Sequence, residues 1–172
     1  CCLLIPRLKV TVHPIYFEGL EEGSSEYDDR LKIAKEFAIY WREGYHPDFG
    51  RDKLVDRPDG IQESALCKVH VKVFALSRSN QIYWDSNSSC KLAPYDRSHC
   101  KGCDSLMLYA VSEEGTALIL ALYIDEGHDL IKKPYYGVLK GLGEYAKSYF
   151  KSIREQPALE TDLFNFLNTP TC

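Results

Sequence analysis

Two apolar runs of strand length lie next to each other in the middle of the chain, and they constrain its fold more than any other feature. The runs cover 105–111 and 116–124, and the residues Glu113-Glu114-Gly115 between them have the composition of a tight turn. Two such runs joined by a short turn that contains glycine are typical of a β-hairpin. The sequence therefore predicts an antiparallel sheet built around this hairpin.

The hairpin also suggests where chemistry could take place. Because its strands are antiparallel, the chain before the first strand and the chain after the second lie at the same edge of the sheet, so Arg97 and His128 are expected to approach each other. A fixed cation beside a titratable imidazole suits phosphodiester chemistry. Taken alone, His128 is better explained as a histidine of a surface loop.

Two segments with helical periodicity flank the hairpin. In 27–43 the apolar positions follow helical spacing, acidic residues occupy the first turn, and Gly44 follows the last turn. A second helix is predicted over 134–154, where Pro134 suits a first helical position. The residues expected to pack this helix on the sheet are Val138, Leu142, Tyr145, Tyr149 and Ile153. A short terminal helix is predicted over 159–167.

Two further strands are predicted, over 8–17 and 66–76, with a turn at 45–52 and a short helix at 52–55 between them. Alternation over 66–76 places Lys68, His70 and Lys72 on one face of its strand. Such a row could bind a polyanion, but lysines are also normal protection for an edge strand. The charge distribution fits the first interpretation, because residues 66–110 carry six basic and three acidic groups although the whole chain has a net charge of −4.

The chain length indicates one domain, and the predicted strands and helices indicate the α+β class, with an antiparallel sheet of about four strands packed against N-terminal and C-terminal helices. The 172 residues divide into a core at about 8–154, a long polar loop at 77–104 and a C-terminal extension at 155–172. No apolar run reaches membrane-spanning length, so no membrane partner is expected. Seven scattered cysteines argue for a reducing, cytoplasmic location rather than a disulfide framework. We interpret the opening Cys1-Cys2 as a processed or incomplete start.

Few catalytic or cofactor motifs are present. The sequence lacks a Walker loop, G-x-G-x-x-G, G-x-S-x-G and H-E-x-x-H, so nothing supports nucleotide hydrolysis or the common hydrolases. Cys100 and Cys103 form a single C-x-x-C, with Cys90 upstream. These cysteines could form part of a zinc site, but one C-x-x-C is only half of such a site. Free thiols are therefore the simpler interpretation, and we predict no metal and no cofactor.

Several segments, in order, resemble YafO-type toxins. They are the helix end at 37–44 (FAIYWREG), the turn at 47–52 (PDFGRD), and the strand at 68–71 (KVHV). Arg97-Ser98 followed by 106–109 (LMLY), and His128 with Leu130, continue the resemblance. Together these segments span about 27–153.

The resemblance implies an mRNA interferase of a type II toxin–antitoxin pair, with the α+β fold of the RelE-like group. Such a protein would cut mRNA on the ribosome by metal-independent acid–base chemistry, and a cognate antitoxin would silence it. The expected catalytic residues are Arg97, His128, His70 and Tyr109, although Tyr109 is equally well explained as a core tyrosine. The expected RNA-binding residues are Lys68, Lys72, Arg51 and Ser98. The alternative is a non-catalytic module that binds nucleic acid or protein, in a form with or without stabilising zinc at the 90–103 cysteines.

Overall fold

The computed structural model describes residues 7–73, 82, 84, 105–125, 127–130 and 132–168. Its strands are β1 (Lys9–Val12), β2 (Phe49–Leu54), β3 (Leu66–Val71), β4 (Leu106–Val111) and β5 (Thr116–Tyr123). Its α-helices are α1 (Ser25–Glu43), α2 (Gly127–Leu130), α3 (Tyr136–Ser152) and α4 (Glu160–Asn168). Short 3₁₀ turns cover Pro14–Phe17, Ile61–Ser64 and Lys133–Tyr135. The predicted α+β class is confirmed.

In the described residues the sheet has five strands in the order β1-β5-β4-β3-β2. The predicted hairpin is confirmed, since β4 and β5 pair in antiparallel orientation, and Gly115 adopts the left-handed conformation in the turn, with φ 89°. However, β1 pairs with β5 in parallel orientation. The sheet is therefore mixed, and the prediction of a purely antiparallel sheet was wrong.

The first strand is shorter than predicted. β1 ends at Val12, and His13 caps the 3₁₀ turn Pro14–Phe17 by accepting a hydrogen bond at Nδ1 from the Ile15 amide, 3.2 Å away. Pro14 lacks an amide hydrogen and so does not continue the strand ladder.

The region after α1 is also different from the prediction. Gly44 ends α1 in the left-handed conformation, with φ 73°, as its position predicted. The predicted turn is present at 47–48, but β2 begins at Phe49, so the turn is shorter than predicted and the short helix predicted at 52–55 was wrong. The antiparallel partner of β2 is β3, and the register shifts between Phe49 and Asp52. Hydrogen bonds to a strand that lies later in the chain therefore decide the conformation of this segment.

Helices cover both faces of the sheet and divide the core in two. On one face, α1 and α4 pack through residues that include Phe37, Trp41 and Leu163. On the other face, α3 packs through Leu139, Leu142, Gly143, Ala146 and Phe150. The prediction is confirmed for Leu142, and Tyr149 and Ile153 pack half-buried against the same core. It was wrong for Val138 and Tyr145, which are exposed. Within the described ranges, no helix combines the length and apolar character needed to cross a bilayer.

Candidate functional site

Three chain segments meet at the sheet edge where β3 ends. The Val71 amide donates to the Ser105 carbonyl at 3.1 Å, and the Asp125 amide donates to Ser105 Oγ, also at 3.1 Å. The end of β3, the start of β4 and the chain leaving β5 are thus held together. The end of β3, which carries His70, and the segment after β5, which carries His128, therefore lie at the same end of the sheet.

His70 lies on the face of the sheet that α3 covers only in part. It pairs with Leu106 across β3 and β4, and Leu106 pairs in turn with Tyr123 on β5. Cross-strand partners lie on the same face, so His70 and Tyr123 lie in one row, about 10 Å apart at two strand spacings. Burial raises the pKa of Tyr123. No local sequence pattern distinguishes Tyr123 from the other tyrosines.

Two lysines stand side by side in the next row of the same face. Lys53 on β2 pairs directly with Lys68 on β3. Two cations in this position give the row a positive charge. The predicted alternation is confirmed, because Cys67, Val69 and Val71 lie in the core on the α1 face.

Gly50 allows close packing beside His70. A β-carbon at Gly50 would lie 3.2 Å from His70 Cβ and 3.5 Å from the Trp84 ring. Trp84 is only 6% exposed, and His70 is 7% exposed. The absence of a side chain at Gly50 therefore lets the indole lie against the strand and shield the histidine.

On the opposite face, Asp52 forms the centre of a buried polar cluster. Its Oδ2 accepts hydrogen bonds from Tyr40 Oη at 2.7 Å and from Tyr109 Oη at 2.6 Å. Phenol bonds to a carboxylate are charge-assisted and short. They join α1, β2 and β4, and they fix the strand immediately after the register shift in β2.

The cluster keeps its weak acids protonated. Burial raises the pKa of Tyr109, and the Asp52 carboxylate raises it further. Burial likewise raises the pKa of the Cys67 thiol, again with a contribution from Asp52, although a hydrogen bond with Tyr109 acts in the opposite direction. A buried neutral thiol of this kind is inert. No local sequence pattern distinguishes Asp52, because its partners Tyr40 and Tyr109 come from distant parts of the chain.

The structure brings some of the predicted site residues together and separates others. His70 and Lys68 share one face, and Lys72, next to the end of β3, donates its amide to the Asp48 carbonyl at 2.8 Å. Tyr109 is fully buried in the core on the other face, so it does not join His70.

The remaining predicted residues are described in part or not at all. Arg51 lies in β2 and His128 in α2, but their side chains are outside the description. Arg97 and Ser98 lie outside the described residues, as do Cys90, Cys100 and Cys103. Among the residues that are described, no group of three His, Cys, Asp or Glu side chains could hold a metal ion.

Comparisons with models of protein families, with curated proteins and with solved structures gave no match to this chain. The function is therefore argued from the residues of the site.

Proposed function

We propose that the chain is a ribosome-dependent endoribonuclease of YafO type, the toxin of a type II toxin–antitoxin pair with a RelE-like arrangement. The observation that carries the proposal is the shared sheet edge, where Ser105 links the end of β3 to the chain leaving β5. Arg97 precedes this edge, and His70 and His128 lie on the segments that meet there. The partners of the protein would be mRNA, the ribosome and a cognate antitoxin in the cytoplasm.

The proposed reaction needs no metal. The His128 imidazole removes the proton from the 2′-hydroxyl, and the 2′-oxygen attacks phosphorus. We assign His70, which is only 7% exposed, to positioning the end of β3 rather than to proton transfer. The Arg97 guanidinium stabilises the charge on the phosphorane. The 5′-oxygen leaves with a proton from a second acid, which gives a 2′,3′-cyclic phosphate and a 5′-hydroxyl end. Lys53 and Lys68 would hold the RNA backbone, with Arg51, Lys72 and Ser98 as further contacts.

Tyr109 has a different role in this proposal. Its hydroxyl is hydrogen-bonded to Asp52, and burial keeps its pKa above the ordinary value. We therefore assign it to positioning β2 and β4 rather than to proton transfer.

A bacterial translation extract with a defined mRNA tests the proposal. The wild-type chain should cut the message in the presence of ribosomes and leave 5′-hydroxyl ends, mapped by primer extension. Arg97→Ala and His128→Ala should each lower the cleavage rate by about 10²- to 10⁴-fold, and His70→Ala should lower it by a smaller factor. His13→Gln is the matched control, since His13 lies beside the middle of β5, where its amide donates to the Ile119 carbonyl. Intact message with the wild type, or equal cutting by all variants, would refute an endoribonuclease.

A second candidate is a module that binds RNA without cutting it, and the Lys53–Lys68 pair is the observation that favours it. In that case the chain should bind RNA with an affinity that falls steeply with salt, and no condition should produce cleavage. Lys68→Ala should reduce the salt dependence, whereas Lys35→Ala on the exposed side of α1 should leave it unchanged. Cleavage by the wild type would decide against this candidate.

A further inference from the structure

Ser105 connects three chain segments from inside the core. It lies directly before β4 and is fully buried. Its carbonyl accepts a hydrogen bond from the Val71 amide at 3.1 Å, which continues the backbone ladder between β3 and β4. Its hydroxyl oxygen accepts a hydrogen bond from the Asp125 amide, also at 3.1 Å. One residue thus holds the end of β3 and the chain leaving β5 at the start of β4.

The bond to Asp125 lies just beyond the point where the pairing of β4 with β5 stops. The last paired residues of these strands are Leu106 and Tyr123. Two residues later, Asp125 adopts the left-handed conformation, with φ 61°. This conformation is unfavourable for residues other than glycine, although aspartate and asparagine tolerate it best. The Ser105–Asp125 bond therefore stabilises a turn that the local backbone alone disfavours.

His128 follows this turn closely. It belongs to α2, a single helical turn, which is too short to be stable by itself. The position of α2 therefore depends on the chain at its two ends. After α2, Lys132 forms an ion pair with Asp129, but these side chains are 65% and 69% exposed, and exposed pairs contribute little. Before α2, the buried Ser105–Asp125 bond lies three residues from His128, which keeps the two backbones within about 11 Å.

We propose that Ser105 is a positioning residue of the reaction centre. Its hydroxyl fixes the turn at Asp125 and so determines where the His128 imidazole meets the 2′-hydroxyl of the RNA. This inference rests on the proposed function, in which His128 removes that proton. A displacement of about 1 Å in a reacting group can slow an enzymatic reaction by about 10²-fold. Ser105 therefore controls the rate without contacting the RNA.

Ser112 provides a matched control at the other end of β4. It follows β4 directly and is fully buried, as Ser105 is. Its hydroxyl oxygen accepts a hydrogen bond from the Thr116 amide at 3.0 Å. Ser105→Ala and Ser112→Ala therefore remove the same kind of bond, and each leaves a backbone amide without that acceptor. Both substitutions should lower the urea midpoint by similar amounts, but only Ser105 lies at the sheet edge proposed for catalysis.

Cleavage kinetics with ribosomes and a defined mRNA test the positioning role. Ser105→Ala should lower kcat by about 10- to 100-fold. Its KM should stay within about threefold of the wild-type value, because the lost bond orients a reacting group and does not bind RNA. Ser112→Ala should leave both constants within about threefold of wild type. Equal losses of kcat in the two variants would indicate a general effect of stability and would overturn the inference.

Substitutions of Asp125 test the same turn from the other side of the bond, and they decide the question if Ser105→Ala does not fold. Asp125→Asn keeps the amide and tolerates the left-handed conformation, so kcat should stay within about threefold of wild type. Asp125→Val should lower kcat as Ser105→Ala does, because a β-branched residue strongly disfavours this conformation. Normal cleavage by Asp125→Val, or a large loss with Asp125→Asn, would contradict a positioning role that acts through the backbone.

Hydrogen exchange tests the Ser105–Asp125 bond without any cleavage. In Ser105→Ala the amides of 125–130 should exchange at least about tenfold faster than in the wild type, whereas Ser112→Ala should affect only the hairpin turn at 112–116. If exchange responds in this way but the wild type never cuts mRNA, the bond holds α2 and the proposed function fails. If the wild type cuts mRNA but neither exchange nor kcat distinguishes the two serine variants, the proposed function stands and the positioning role fails.

Discussion

At the scale of single residues, the Asp52 cluster shows a carboxylate used for structure. Tyr40 and Tyr109 both donate to the same oxygen, and Cys67 lies close enough for Asp52 to raise the pKa of its thiol. A partly buried carboxylate needs hydrogen-bond donors such as these two phenol hydroxyl groups, because its desolvation without hydrogen bonds is costly. The cluster therefore fixes β2 against α1 and β4.

The raised pKa values predict a loss of stability at alkaline pH. The unfolded chain releases protons from a thiol near pH 8.5 and from a phenol near about pH 10, whereas folded Cys67 and Tyr109 stay protonated. The unfolded state then binds fewer protons, so the free energy of unfolding falls as pH rises above about 8.5, by up to about 1.4 kcal/mol per pH unit for each group.

Denaturant titrations at pH 7 to 11 would measure this dependence. Tyr109→Phe should be less stable at pH 7 by about 1–3 kcal/mol, because it loses a hydrogen bond to a charged group, and its stability should fall less steeply with pH. Tyr135→Phe, at an exposed tyrosine, should keep the wild-type slope. A wild-type stability that stays constant up to pH 11 would contradict the assignment.

At the scale of elements, close contact between α3 and the turn Ile61–Ser64 decides which side of the helix is buried. Gly143 and Ala146 are small, so the helix axis comes close to the turn and to the sheet. A Gly143 β-carbon would meet Ser64 Oγ at 2.9 Å and Ile61 Cδ1 at 3.2 Å. The stripe with Val138 and Tyr145 has no such small residue facing the turn, and it remains in solvent.

Gly143→Ala should therefore destabilise the protein. Overpacking typically costs about 1–3 kcal/mol, which exceeds the gain of about 1 kcal/mol in helix propensity. Urea denaturation of Gly143→Ala and of Gly141→Ala makes a direct comparison within one helix, and Gly141→Ala should be more stable than wild type. Equal stabilisation by both substitutions would show that the contact with Ser64 imposes no constraint.

At the scale of the whole molecule, β4 is the centre of the fold. It pairs with β3 on one side and β5 on the other, and all six of its residues are fully buried. Helices cover it from both faces of the sheet. Opening β4 thus requires that both halves of the core separate.

Hydrogen exchange should reproduce this arrangement. The amides of β4 and of its partners β3 and β5 should exchange slowest, with opening free energies near that of global unfolding. The amides of β2 should exchange faster, because among the described strands β2 lies at the end of the sheet order and pairs only with β3. Exchange of β2 as slow as that of β4, measured by NMR, would contradict a single central strand.

Much of the fold could be predicted because it depends on local patterns. The hairpin follows from two apolar runs around Gly115. Helix α1 follows from helical spacing over 27–43 and from Gly44 after the last turn, although the helix begins at Ser25, two residues earlier than predicted. The alternation in β3 places Lys68 and His70 on one face of the strand and their sequence neighbours on the other. Each of these signals lies within about twenty consecutive residues.

Other features depended on contacts between distant segments. β2 has weak strand propensity and becomes a strand because it pairs with β3. The parallel pairing of β1 with β5 joins residues about a hundred positions apart and has no local signal. The Asp52 cluster likewise needs α1 and β4 to come together.

The sequence by itself thus determined the hairpin, the two long helices and the α+β class, since periodicity and turn composition act within each segment. Tertiary structure alone decided the mixed sheet, the buried side of α3 and the partners of Asp52. The physical reason is that an amphipathic pattern indicates which residues of a segment will be buried. Close packing and non-local hydrogen bonds determine which surface those residues pack against.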